Sequence, residues 1–170
     1  MAMIKINAKN ITAEYYGVQF DYAPTEKIAV NAGYTALTGI EAASWETLGG
    51  YNDNSASIWT VGGSYAFDSN VKLVGQYAEN TDADAYEKAG IVEVQYKGTD
   101  VDDAGYRHLG GNVAIAPTYN DAAANQKGYV VGASYVPAEN ILATIEYFDG
   151  KDMDTDTDAS KFFANVDFFF

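Results

Sequence analysis

The feature that most constrains the fold is a strand-turn-strand pattern that occurs three times without gaps, at residues 18–28, 61–71 and 131–141. In each copy apolar residues alternate on both sides of a short polar break. Pro24 and Pro137 lie at the break in two copies, where a residue without a backbone N–H cannot continue a ladder. A period of two interrupted by turn residues predicts antiparallel hairpins, so the chain is expected to be all-β.

Aromatic residues add a second regularity, because several pairs are separated by six residues and therefore share a strand face. Six residues span about 20 Å along a strand, which is close to the apolar height of a transmembrane barrel wall. The residues between the paired positions on that face are uncharged. We therefore predict two aromatic girdles that face lipid. Their members are Tyr16, Tyr22, Tyr34, Trp59, Tyr65, Tyr77, Tyr129, Tyr135, Tyr147, Phe162 and Phe168.

The last ten residues place five apolar side chains on one face of a strand that ends in Phe170. This segment resembles the C-terminal strand of bacterial outer-membrane β-barrels. The resemblance implies that Phe168 and Phe170 form the signal that the barrel-assembly machinery reads.

The opposite face is polar, as expected for a wet interior. We predict that its charged residues line a pore, where four carboxylates against three cations favour mild cation preference. Mutual neutralisation inside a plugged barrel is the alternative. The predicted lining residues are Asp21, Lys27, Lys72, Glu93, Arg107, Glu146 and Asp167.

Composition narrows the function classes. A chain of 170 residues fits one domain (residues 1–170), and a net charge of -14 argues against nucleic-acid binding. Cysteine is absent, which is compatible with an oxidising envelope compartment. No apolar run reaches the ~18 to 20 residues of a membrane-spanning helix, so strands would have to cross the membrane. Residues 1–10 lack the pattern of a secretory signal, so we expect that one was removed or that the chain is part of something longer.

The alternation predicts ten strands, which makes a small up-and-down barrel or the C-terminal part of a larger porin barrel. The predicted strands are 3–9, 14–23, 27–37, 56–67, 70–78, 86–97, 105–109, 127–136, 141–148 and 161–170. Short turns are assigned to the periplasm, together with the connection 98–104. The longer connections 38–55, 79–84, 110–126 and 150–160 are assigned to the outside. A soluble sandwich or lipocalin-like barrel is the competing fold, because it also alternates.

Two groups of residues suggest chemistry only weakly. Asp152, Asp154 and Asp156 alternate like the first ligands of a calcium loop, but the glycine and the bidentate glutamate of that loop are missing, so a solvated loop is the simpler interpretation. His108 is the single histidine, and no spacing supplies the partners of a catalytic group. We therefore predict neither an enzyme nor a cofactor.

Several strings resemble the C-terminal part of the porins with an S-layer-homology domain in diderm Firmicutes. They are Tyr106-Arg-His-Leu-Gly-Gly, Asn112-Val-Ala-Ile-Ala-Pro-Thr-Tyr-Asn120, Tyr147-Phe-Asp-Gly-Lys151 and Val166-Asp-Phe-Phe-Phe170. The resemblance covers roughly residues 90 to 170 and implies a trimeric outer-membrane barrel that passes small hydrophilic solutes. The chain departs from that family in three ways, because it has no wall-binding domain, fewer strands, and a predicted strand at 105–109 that is short for a membrane span.

The functional prediction is a porin-like channel in the bacterial outer membrane for passive diffusion of small hydrophilic solutes and ions. A structural or adhesion barrel with a plugged lumen is the first alternative, and a soluble ligand-binding β-barrel is the second. The expected partners are outer-membrane lipid and lipopolysaccharide, the barrel-assembly machinery and, as a homotrimer, two further copies of the chain.

Overall fold

The computed structural model describes residues 2–8, 11–38, 55–97, 101–113 and 124–169, and the side chains of 14–38, 55–97, 103–113 and 124–169. Ten strands cover most of these residues, as the alternation predicted. They are β1 (Ala2–Ala8), β2 (Ile11–Thr25), β3 (Ile28–Thr38), β4 (Ser55–Ala66), β5 (Val71–Asn80), β6 (Lys88–Lys97), β7 (Val101–Leu109), β8 (Gln126–Ala138), β9 (Ile141–Asp152) and β10 (Lys161–Phe168).

All ten strands form one antiparallel sheet in which each strand pairs with its neighbours in the chain, β1 through β10. The up-and-down order agrees with the prediction. The sheet is open, however, because β1 pairs with β2 alone and β10 with β9 alone among the described strands. The expectation that these ten strands close into a small barrel is therefore wrong for this structure.

The hairpin turns form where the sequence repeat places its breaks. Register shifts lie between Tyr22 and Thr25 and between Tyr135 and Ala138, each spanning the proline that cannot donate to the ladder. The third turn is closed differently. The Asp68 carboxylate accepts hydrogen bonds from the backbone N–H groups of Asn70 (2.7 Å) and Val71 (2.8 Å).

Two strand boundaries differ from the predictions by four residues, because cross-strand pairing extends beyond the local pattern. β7 begins at Val101 and has nine residues, since Val101 pairs with Lys97 and Ser134. Nine residues are enough for a transmembrane β-strand, so the third departure from the porin pattern, the short strand at 105–109, is not present. β9 continues four residues past the predicted end, to Asp152.

Among the described residues, buried apolar side chains are few and lie on the face predicted to be polar, near the strand ends that the longer connections join. Ile91, Leu109, Val130 and Phe148 form one cluster, and Phe148 is fully buried. The sheet therefore has a small packed region on the polar face and a broad exposed apolar face. None of the described residues forms a helix long and apolar enough to cross a membrane.

Candidate functional site: the two faces of the sheet

Strand register assigns the paired residues of the strands to one of two faces, because residues paired across antiparallel strands point the same way. One row of paired residues runs from Asp21 through Asn31, Gly62, Gln76 and Ile91 to Arg107. Residues at even spacing from this row make up the polar face. The remaining strand residues make up the apolar face.

All eleven predicted girdle residues lie on the apolar face by register. This face also carries most of the large exposed apolar side chains of the described residues. Phe20 is 62% exposed, Val131 54% and Val166 52%. An exposed apolar surface that runs across nine strands is far more than the scattered apolar residues of a soluble monomer, and it marks an interaction surface.

The aromatic residues form two staggered belts, one on the turn side and one on the loop side of the sheet. A hydrogen-bonded row that starts at Tyr22, in the turn-side belt of β2, reaches Tyr129, in the loop-side belt of β8, after six strand-to-strand steps. A second row runs from Tyr65 in β4 to Phe162 in β10, also in six steps. The two belts are six residues apart on one strand, and a hydrogen-bonded row passes from one belt to the other in six steps. Each belt therefore shifts by one residue per strand relative to the hydrogen-bonded rows.

This shift fixes the inclination of the strands relative to the belts. One residue along a strand is about 3.3 Å and one step between strands is about 4.8 Å, so the strands are inclined by about 35° to the normal of the belts. Transmembrane barrel strands are tilted by roughly 35 to 45°. With this inclination, the backbone levels of the two belts are about 16 Å apart.

Tyrosine hydroxyl groups of the loop-side belt reach further towards the loops. The Tyr16 hydroxyl donates to Glu14 Oε2 (2.9 Å), and the Tyr77 hydroxyl donates to Glu79 Oε2 (3.0 Å). Each carboxylate lies two residues nearer the loops on the same face. The order along these strands is therefore apolar residues, ring, hydroxyl and charge, as expected where an amphipathic ring lies at a membrane interface.

Six of the seven predicted lining residues lie on the polar face by register, namely Asp21, Lys72, Glu93, Arg107, Glu146 and Asp167. The exception is Lys27. It belongs to the two-residue turn between β2 and β3, and its ammonium group donates to the carbonyl oxygen of Phe67 (3.3 Å). Lys27 therefore lies at the turn-side rim.

One pair of the predicted lining residues forms a buried ion pair. Arg107 Nη1 lies 2.8 Å from Glu93 Oε2, and the two side chains are 4% and 10% exposed. The Gln95 amide donates to the other oxygen of Glu93 (2.5 Å). Charges this well buried are stable only when paired, so this pair fixes the local packing between β6 and β7.

Connections at the loop end of the sheet are tied together by buried asparagines. Asn80 Nδ2 donates to the carbonyl oxygen of Asn112 (2.8 Å), and Asn112 Nδ2 donates to that of Ala85 (2.6 Å). Asn80 and Asn112 are fully buried. The sequence offered little signal for this network, because isolated asparagines in polar loops are expected at the surface.

The three aspartates of the candidate metal loop are engaged separately. Asp152 Oδ1 accepts backbone hydrogen bonds from Asp154 (3.0 Å) and Thr155 (2.9 Å), which caps the turn after β9. Asp154 accepts the Tyr86 hydroxyl (2.9 Å), and Asp156 lies 3.4 Å from the Lys151 ammonium group. Within the ranges described, no group of three acidic, histidine or cysteine residues is placed to hold a metal ion.

His108 lies on the apolar face at the loop end of β7, where Gly90 and Lys127 are its register partners. Phe168 lies on the apolar face of β10, and Phe170 is outside the described residues.

Comparison with protein-family models gives no match to this sequence, and comparison with the curated proteins gives no significant relative. The likeness to S-layer-homology porins therefore stays a prediction from the strings quoted above.

Proposed function

We propose that this sheet is a wall of an outer-membrane porin-like β-barrel that passes small hydrophilic solutes and ions by diffusion. The observation that carries the proposal is the division between its two faces. One face exposes apolar side chains bounded by two aromatic belts, and the other carries the charged and amide side chains. A bilayer on one side and water on the other would satisfy both faces.

The inclination of the strands supports the same environment. A soluble sheet has no reason to keep two aromatic belts parallel across nine strands. Tyrosine and tryptophan gather at the two interfaces of a membrane, and the strands of a transmembrane barrel cross those interfaces at an angle. The rows from Tyr22 and from Tyr65 share the four steps from β4 to β8, and both give a shift of one residue per strand. The resulting inclination of about 35° lies at the lower end of the tilt range of such barrels.

The open sheet favours a larger barrel over a small closed one. β1 and β10 each keep one unpaired edge among the described strands, and unpaired backbone groups in hydrocarbon cost several kcal/mol each. In a barrel, these edges would pair with further strands. A larger strand number would also leave room for water, whereas about eight strands are filled by side chains.

The polar face favours cations over anions. Its predicted lining residues comprise four carboxylates and two cations once Lys27 is placed in the turn. Among these predicted lining residues Glu93 pairs with Arg107, and the other carboxylates, Asp21, Glu146 and Asp167, outnumber the other cation, Lys72. Carboxylates that line a pore attract cations through the local field.

A structural barrel with a plugged lumen is the second candidate, and a specific observation favours it. Ile91, Leu109, Val130 and Phe148 pack together on the polar face near the loop ends, where an open water-filled pore would need polar residues. In that case the loops, rather than a pore, would carry the function. Lipopolysaccharide, the barrel-assembly machinery and a homotrimer remain the proposed partners under either candidate.

Single-channel recording tests the proposal. The chain is folded in detergent, inserted into planar bilayers and measured under a salt gradient, with the double variant Asp21→Asn/Asp167→Asn alongside. We expect discrete conductance steps with cation preference, and a reversal potential closer to zero in the variant. Glu139→Gln is a control, because Glu139 lies in the turn between β8 and β9.

The outcomes separate the candidates. A heat-modifiable barrel that inserts but conducts nothing would favour the plugged structural barrel. Clear anion preference, or an equal shift of the reversal potential in the Glu139→Gln control, would refute the assignment of the polar face to a cation-preferring pore.

A further inference from the structure

Three basic side chains lie next to one another on the apolar face, at its loop end. His108 of β7 pairs in register with Lys127 of β8, and Lys127 pairs with Lys151 of β9. They lie just beyond the aromatic belt, since Tyr106 and Tyr129 are two residues nearer the middle of the sheet on their strands. This is the depth at which lipid headgroups meet a membrane protein.

The two lysines of this row, Lys127 and Lys151, are unfavourable opposite one another without an anion. Like charges directly opposite one another on neighbouring strands destabilise a sheet. The chain has only ten lysines and arginines against 24 acidic residues, so it offered ample acid to place opposite Lys127. Instead a second lysine stands there.

Nearby acidic groups neutralise the row only in part. Lys151 lies 3.4 Å from Asp156, whose side chain is 78% exposed, so the pair is weak in water. Asp149 lies on the same face and accepts a hydrogen bond from the Ser160 hydroxyl (3.0 Å). Among the described residues, Lys127 forms no ion pair. The row therefore retains capacity for an external anion.

An apolar groove of about 220 Å³ lies on the same two strands, towards the middle of the sheet. The groove is lined by residues of β8, β9 and β10, namely Val131, Gly132, Ala133, Ile145, Glu146, Tyr147 and Phe162. Lys127 precedes Val131 by four residues, and Lys151 follows Tyr147 by four. The basic row and the groove are thus about 13 Å apart along the strands.

We propose that the basic row and the groove together bind one phosphorylated lipid of the lipid A type, with a phosphate on Lys127 and Lys151 and an acyl chain in the groove. This site rests on the proposed membrane position of the sheet. A ligand that places an anion on the basic row and an acyl chain in the groove must be charged at one end and apolar at the other. The long connections lie at the same end of the sheet as the row, and this end faces the outer leaflet in barrels of this kind.

Native mass spectrometry of the full chain in detergent micelles tests the site. The probes are bisphosphorylated lipid A, dephosphorylated lipid A and phosphatidylglycerol. Lys127→Gln and Lys151→Gln remove one charge each and are expected to weaken binding of phosphorylated lipid A about fivefold each. Lys97→Gln is the control, because it removes the same charge on the polar face at the turn side of the sheet.

A second pair of variants tests the groove. Ala133→Trp fills the groove and is expected to reduce binding at least tenfold, whereas Ala32→Trp places the same side chain on the same face of β3 and should not. Tight binding of dephosphorylated lipid A, or equal losses in Lys127→Gln and Lys97→Gln, would overturn the site. Stronger binding of phosphatidylglycerol than of lipid A would overturn the assignment of the ligand.

The two proposals fail separately. Lysine-dependent lipid binding by a chain that conducts nothing would support the site while refuting the channel. Conductance without lysine-dependent lipid binding would refute the site alone.

Discussion

Val61 and Thr60 are neighbours in β4 that lie on opposite faces of the sheet. Val61 is 46% exposed on the apolar face, between the belt residues Trp59 and Tyr65. A lysine at this depth of a bilayer costs about 2 to 4 kcal/mol, which lowers the ratio of folded to unfolded protein by about 30-fold to nearly 1000-fold. Thr60→Lys places the same charge on the polar face, where a surface substitution costs within about 0.5 kcal/mol.

In the assay, each variant is folded into lipid vesicles at a series of urea concentrations. The folded fraction is measured from the heat-modifiable band on a gel. We expect Val61→Lys to lose stability by 2 to 4 kcal/mol relative to Thr60→Lys, as estimated for the bilayer midplane. The two variants differ only in the face that carries the lysine, because adjacent residues of a strand point to opposite faces of the sheet. Equal stability of the two variants would refute the assignment of the apolar face to lipid, and a greater loss in Thr60→Lys would favour a soluble barrel.

Two further predictions concern the sheet and its turns. Gly105→Ala should destabilise the sheet by about 1 to 3 kcal/mol in the same urea series, because the added Cβ atom would lie 2.6 Å from the backbone carbonyl oxygen of Val92 on the neighbouring strand. Gly75→Ala should be tolerated, because the nearest atom to its Cβ would be 3.8 Å away. Equal stabilities of the two variants would contradict this packing. In the turn after β4, the backbone N–H groups of Asn70 and Val71 lower the pKa of the Asp68 carboxyl, so its contribution to stability is present above the unfolded-state pKa and is lost as the pH falls through the lower folded-state pKa. Asp68→Ala should therefore unfold more readily than the parent chain at neutral pH and equally readily in acid, and a difference that stays constant with pH would show that the carboxylate charge is not responsible.

Much of the architecture could be predicted because it depends on local spacing. A period of two determines which residues share a face, so the eleven aromatic residues and six of the seven predicted lining residues could be assigned to the apolar or the polar face before any strand was paired. Prolines and aspartates marked the turns because both act locally, proline through its fixed backbone angle and aspartate through side-chain hydrogen bonds to nearby backbone N–H groups. Lys27 was misplaced for the same reason. The alternation assigned Lys27 to the polar face of a strand, but Lys27 lies in a two-residue turn and is not part of the strand.

The sequence by itself determined the strand class, the count of ten strands and the division into apolar and polar faces. The tertiary structure decided how far each strand slides against the next, and three features depend on that. They are the one-residue shift of the aromatic belts, the contact between Glu93 and Arg107, and the row of His108, Lys127 and Lys151. It also decided that the ten described strands form an open sheet. The reason is physical: side-chain alternation is a property of each strand alone, but register is set by hydrogen bonds between strands, and local spacing carries no record of those partners.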